Sequence, residues 1–263
     1  MANQERPVGQ CCLCGDITRL SFEHVPPRSA FNNDTVFLAE IERLLGHDWW
    51  AEMDKVPGKR QQGGAGQYTL CEPCNNKTGS WYGSDYVHLA RRAMPALAQA
   101  AAGEVVGVSV DIRPLRLLKQ ILVMFCSACG PNFVFPELAR YLLNQESREL
   151  PPGHDVYLGL YDRGSRAARQ SGLTGRLELG NSQCVYSEIA FPPLILVMTV
   201  NSPSPDPRLM RVTWFNQFGW RDRWQQMLIL DCLQVNSPYP ASYATREEIE
   251  RNRSRRLQSK AVD

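Results

Sequence analysis

Charge of one sign is missing from this chain. Its 263 residues carry 29 Lys and Arg against 27 Asp and Glu, a formal net charge of +2. Bulk attraction to a polyanion is thereby excluded, and any nucleic-acid surface has to be a local patch. Long apolar runs are missing as well. No stretch reaches the roughly 20 residues that span a bilayer. The opening Met-Ala-Asn-Gln-Glu-Arg lacks the apolar core of a secretory signal. Histidine is scarce, with four residues, and there is no internal repeat.

Cysteine, by contrast, is abundant. There are nine, an odd number, and several come in pairs with two residues between them. The paired spacing and the missing signal favour thiolates held by metal in a reducing, cytoplasmic setting over a disulfide framework. Apolar residues make up 43% and charged residues 21%, ordinary values for a globular protein able to bury a core.

The chemistry concentrates between Cys11 and Asp85. Cys11-Cys12-Leu13-Cys14-Gly15 is followed by Phe22-Glu23-His24-Val25-Pro26-Pro27-Arg28. After an insertion comes Leu70-Cys71-Glu72-Pro73-Cys74-Asn75-Asn76-Lys77-Thr78-Gly79. A Cys-x-x-Cys turn lets two thiolates meet one Zn²⁺, and two such turns complete a tetrahedral site. Cys11, Cys14, Cys71 and Cys74 are therefore the expected structural zinc ligands. Two unrelated pairs, one of them redox-active, are the alternative. Cys126-Ser-Ala-Cys129 has the same spacing but lies in an apolar helical pattern and reads as core. His24 is the one histidine beside an acid and inside the bracket. Its plain readings are a zinc ligand in place of a cysteine or an ordinary strand-end residue. Alternation along a regular strand puts Glu23 and His24 on opposite faces, so a shared site requires a bulge.

Periodicity organises the rest. Thr18–Val25 alternates as a strand ended by Pro26-Pro27. Residues 34–54 suit one short helix, and residues 55–67 a mobile basic loop carrying Lys55, Lys59 and Arg60. A helix starts near Pro73 or Asn75, and a second runs from Tyr86 to Ala102 with a kink at Pro95. Val105–Ile112 reads as a strand, Arg113–Cys129 and Pro136–Asn144 as helices. Beyond Asp155 the pattern is β: Val156–Tyr161, Leu173–Leu179, Cys184–Ala190, Leu194–Val200, Leu209–Phe218 and Trp224–Val235. The expected fold is α+β: an N-terminal zinc-stapled module with its trailing helix at 1–103, an α+β domain around a mainly antiparallel sheet at 104–245, and a charged tail at 246–263.

The motifs of residues 11–85 together resemble the HNH endonucleases of the ββα-metal type, most closely the zinc-stapled bacterial subset. The resemblance implies a metal-dependent endonuclease or nickase acting on DNA, with RNA the other candidate, in bacterial defence or mobile-element biology. It implies His24 as general base, Glu23 as an orienting or metal-binding acid, and Asn75, with Asn76 behind it, as ligand of a catalytic Mg²⁺ or Mn²⁺. Imidazole suits the first role and hard oxygen donors the others. Arg28, Lys77, Lys59 and Arg60 would bind phosphate. The family's middle Asn, five residues before Cys71, is Gly66 here. A zinc-stapled nucleic-acid-binding or adaptor protein with a decayed site is the alternative reading. Residues 104–245 carry no recognisable chemistry and are the expected surface for a partner protein or a second copy.

Overall fold

The computed structural model describes residues 6–44, 56–100, 103–133, 135–162, 164–165, 167–176, 183–235, 237–244, 247–248 and 250–251. Among them, the fold is mixed α+β with three helices and mainly antiparallel sheets.

The N-terminal third opens with β1 (Val8–Gln10) and β2 (Ile17–His24). A hairpin of β3 (Val36–Leu38) and β4 (Lys59–Gln61) follows. Then β5 (Gly66–Cys71) pairs antiparallel with β2 and runs straight into α1 (Glu72–Gln99). The single helix expected over 34–54 is not formed in its described part, which holds β3 and a 3-10 turn at Ile41–Leu44. The remainder of that stretch, with Lys55, lies outside the described residues. The supposed loop at 55–67 is replaced by β4, a glycine turn and the start of β5.

Between β2 and β5 the register slips. Ser21 faces Leu70, but Phe22 faces Tyr68, so Thr69 is passed over. Close strand contact at the far end of this pairing, where Gly66 faces His24, explains the glycine. A Cβ there would lie 2.1 Å from the Glu23 carbonyl oxygen and 2.8 Å from the Phe22 ring. No asparagine fits where the resemblance leads one to look for it.

α1 is one helix of 28 residues, not two. Gly83 and Pro95 lie inside it, and tertiary packing outweighs their local cost. Tyr82, Tyr86, Leu89, Ala90, Ala93 and Leu97 form its buried stripe. This face meets β6 (Val105–Ile112) and α2 (Pro114–Cys129), whose apolar pattern buries it on nearly all sides. Asp85 ties the two helices together: it accepts the Arg113 backbone N–H at 2.8 Å, just ahead of α2. One buried core runs from Cys11 through α1 and α2 to Cys232, so the expected boundary at 103/104 is no break in packing.

The short α3 (Pro136–Leu143) ends on a buried lysine. Lys119 of α2 donates to the carbonyls of Tyr141 at 2.9 Å and Asn144 at 2.6 Å, supplying acceptors of a helix end with an amine donor. The remaining strands are β7 (His154–Tyr161), β8 (Arg169–Arg176), β9 (Cys184–Phe191), β10 (Leu194–Val200), β11 (Met210–Arg211), β12 (Trp224–Val235) and β13 (Tyr243–Ala244). They make an eight-stranded sheet with β6, in which β12 and β7 pair in parallel. The strand expected over Leu209–Phe218 shrinks to β11. Thr213–Gln217 is a 3-10 turn whose Phe215, with Trp214 and Trp224, packs as an aromatic cluster.

No helix among the described residues is long and apolar enough to cross a membrane.

Candidate functional site

The two cysteine turns meet. The Sγ atoms of Cys11, Cys14, Cys71 and Cys74 lie within 4.8 Å of one another. Thiolates on a tetrahedral Zn²⁺ with bonds of about 2.3 Å sit roughly 3.8 Å apart, and Cys14 and Cys71 are separated by 3.8 Å. The backbone is shaped for this. Gly15 takes φ 79° to close the first turn, and its N–H donates to the Cys11 carbonyl at 3.0 Å. The Cys71 N–H points at the Cys11 sulfur at 3.3 Å. Cys12 is buried in the core instead, and its N–H bonds Thr69 across the sheet. The four-sulfur set fits zinc, which would fasten the turn between β1 and β2 to the start of α1.

His24 ends β2 and opens on a cleft of about 480 Å³ between β2 and α1. Its Nε2 lies 2.9 Å from the Gly63 carbonyl oxygen. A carbonyl only accepts, so Nε2 is the donor of this bond, and in the neutral ring Nδ1 is the nitrogen with a lone pair. The Phe22 ring stands edge-on against the imidazole with centroids 5.0 Å apart, which limits its rotation.

Asn75 lines the same cleft from α1. Its Nδ2 donates to Ser21 Oγ at 3.1 Å and to the Phe22 carbonyl at 3.3 Å. With both amide hydrogens spent on β2, Oδ1 is the end left for a ligand. Arg28 joins these two residues in the cleft wall, and Arg91 enters from further along α1.

Glu23 also borders the cleft, but its carboxyl is engaged elsewhere. Phe22 and His24 share one face of β2, so the residue between them points to the other. Its carboxyl is buried, at 6% exposure, and accepts a short hydrogen bond from Ser127 of α2. Thr69 donates to the same Ser127 hydroxyl at 2.8 Å, and Gln67 to the Ser127 carbonyl. The register slip lies upstream of Glu23 and leaves this alternation intact. Burial pushes the Glu23 carboxyl up to about 8, with the bond from Ser127 opposing the shift. The expectation of Glu23 as a catalytic-metal ligand is corrected: it joins the N-terminal sheet to α2.

This environment makes a pH prediction. An acid whose folded pKa exceeds its unfolded value stabilises the fold below the unfolded pKa, and that stability is lost as pH rises toward 8. Glu23→Gln should remove the loss. The variant should gain on wild type between pH 5 and 9, by on the order of a few kcal/mol. Urea titrations across that range measure it, and parallel curves would refute it.

The phosphate-binding expectations divide. Arg28 is in the cleft. Lys77 stands over the Trp81 ring at 4.9 Å on another face of α1, away from the cleft lining. Lys59 and Arg60 lie on exposed β4, and Arg60 lines a separate groove beside β8. Asn76 is exposed and is not among the cleft residues. The loop around Gly63 does reach His24, but through backbone rather than through its basic side chains.

Asn32 is the residue that sequence reasoning misses. It is 1% exposed, and its Nδ2 donates to the carbonyls of Pro26 at 2.6 Å and Ala65 at 2.7 Å. Its Oδ1 accepts the Ala65 N–H at 2.6 Å. The neighbouring Phe31 adopts φ 68°, a rare conformation for an aromatic residue that turns Asn32 inward. Asn32 thus pins the segment that presents Gly63 to His24. A loop asparagine after two prolines gives no periodic signal, so only coordinates could find it. Asn32→Ala leaves the Pro26 carbonyl and the Ala65 N–H without a partner, while the Ala65 carbonyl keeps the Val25 N–H. It should cost about 2–4 kcal/mol, a fall of roughly 5–15 °C in melting temperature. A melt matching wild type would contradict this.

Comparison with known protein families, with characterised proteins and with solved structures finds no match to the chain.

Proposed function

We propose that the protein is a zinc-stapled nucleic-acid hydrolase of the HNH type. The carrying observation is that His24, its Nε2 donating to the Gly63 carbonyl, lines a cleft together with Asn75, whose Nδ2 is bound to β2, and Arg28. In this reading Nδ1 takes a proton from water, and the resulting hydroxide attacks phosphorus. The P–O bond to the leaving alkoxide breaks, and solvent returns a proton to it. Arg28 holds a non-bridging phosphate oxygen. Asn32 supports the reading from an unexpected place: it orders the loop behind the histidine, while Gly66 has no room for a side chain.

The resemblance also implies a catalytic Mg²⁺ or Mn²⁺. Such ions are held by one or two carboxylates together with phosphate oxygens. Here the cleft's one acid, Glu23, gives its carboxyl to Ser127, so the described residues do not fit a protein-built cation cage. No step is assigned to that ion. The same observation favours a second reading, a nucleic-acid-binding module whose cleavage site has lost its metal.

Plasmid nicking decides between them, run with Mg²⁺, with Mn²⁺ and without added cation, wild type beside His24→Ala. Nicking that disappears with His24 supports the hydrolase. Nicking that survives the substitution, or none under any condition, removes it.

A further inference from the structure

The cleft does not stop at the reacting end. On α1 the residues Asn75, Gly79, Gly83, Val87 and Arg91 recur every fourth position and all line it. They form a track about 24 Å long, at 1.5 Å per residue.

Two of these residues are glycines in a helix interior. Each costs about 1 kcal/mol against alanine, and packing does not explain them. A Cβ at Gly79 would meet nothing within 4 Å. At Gly83 it would meet only the Gln120 Oε1, at an ordinary 3.8 Å.

Gln120 supplies an independent observation. It projects from α2 into the cleft wall opposite Gly83 and is 4% exposed. Its Oε1 is buried with no hydrogen-bond partner. An unpaired buried amide oxygen costs about 1–3 kcal/mol, which a ligand donor would recover. Arg91, at the end of the track, makes no ion pair among the described residues.

We propose that this arm of the cleft binds one unpaired nucleotide of the substrate strand. Its base places an exocyclic amine on Gln120, and its phosphate meets Arg91. The bare helix surface at Gly79 and Gly83 lets the sugar-phosphate approach the α1 backbone. The exocyclic amine of adenine or cytosine projects beyond the ring and can reach a recessed acceptor, whereas thymine's one donor, its ring N3–H, lies between two carbonyls that the amide oxygen repels. The amide is recessed, so a base stacked inside a duplex does not reach it, and the nucleotide is single-stranded or turned out of its helix. The inference deepens the hydrolase reading and rests on it for the class of ligand.

The test uses the full-length protein carrying His24→Ala, without added divalent cation, and fluorescein-labelled 12-mers of dA, dC and dT in anisotropy titrations. The dA and dC strands should bind about five-fold tighter than dT, the value of one recovered hydrogen bond. Adding Gln120→Leu should bring all three to the dT level. That variant stays folded, because leucine removes a buried polar group from an apolar helix. Adding Gly83→Ala instead should weaken all three strands by ten-fold or more while raising the melting temperature, since alanine favours the helix. Equal binding of the three strands by the His24→Ala parent would overturn the proposal. So would a preference that survives Gln120→Leu, or a stabilised Gly83→Ala variant that binds like its parent. Nicking with no base preference would leave the hydrolase reading standing and remove the subsite. A base preference without nicking would do the reverse.

Discussion

Cys71→Ser should unfold far more than a loop. Freshly purified wild type is expected to carry one zinc per chain by elemental analysis, and the variant much less than one. Structural zinc contributes on the order of 10 kcal/mol in small domains, comparable with the whole stability of a typical protein. Its removal here would release the hairpin end of β5, the start of α1 and the turn holding Cys12 and Leu13, all part of the main buried core. That core continues into α2, so the loss should spread. The expected result is a fall of more than 20 °C in melting temperature, or failure to accumulate folded protein. Cys126→Ala is the control. Cys126 is fully buried on α2 and outside the four-sulfur set, so it should keep its zinc and lose only about 1 kcal/mol of packing. Wild-type melting in Cys71→Ser, or zinc absent from the purified protein, would refute the site.

Much of the fold is legible because its periods are clean. The alternation of β2 and the apolar repeat of α2 appear where periodicity puts them, and the cysteine spacing leads directly to the four-sulfur cluster. Failures occur where packing outvotes local signals. Gly83 and Pro95 mark a break in α1, but Tyr82, Tyr86 and Leu89 bury enough surface on β6 and α2 to carry the helix through. The aromatic run Trp214-Phe215 has strand propensity, yet its rings close a cluster with Trp224 that a 3-10 turn serves better. In the site, alternation places Glu23 opposite His24, and the coordinates follow that rule rather than the role the motif suggests. Asn32 and Gln120 give no sequence signal. Each gains meaning only from what its amide finds, or lacks, across the fold.

On the proposed hydrolase function, His24→Ala should reduce nicking by 10²-fold to 10⁴-fold, the range for losing a positioned general base, and leave stability nearly unchanged. The imidazole is half-buried and makes one hydrogen bond, to the Gly63 carbonyl, at the rim of a cleft that water can enter. Its loss costs about 1 kcal/mol or less in folding. Substrate binding should also persist, because Arg28 and Arg91 are untouched. The defect therefore belongs in kcat rather than KM, the pattern for an interaction made only in the transition state. Added imidazole offers a sharper check. It fits the space left by the ring and can bond to Gly63, so millimolar imidazole should restore part of the activity to His24→Ala and none to a Cys71→Ser protein. Activity that imidazole cannot raise would show that the ring does more than move a proton. Loss confined to KM would make His24 a binding residue and turn the argument toward the non-cleaving module.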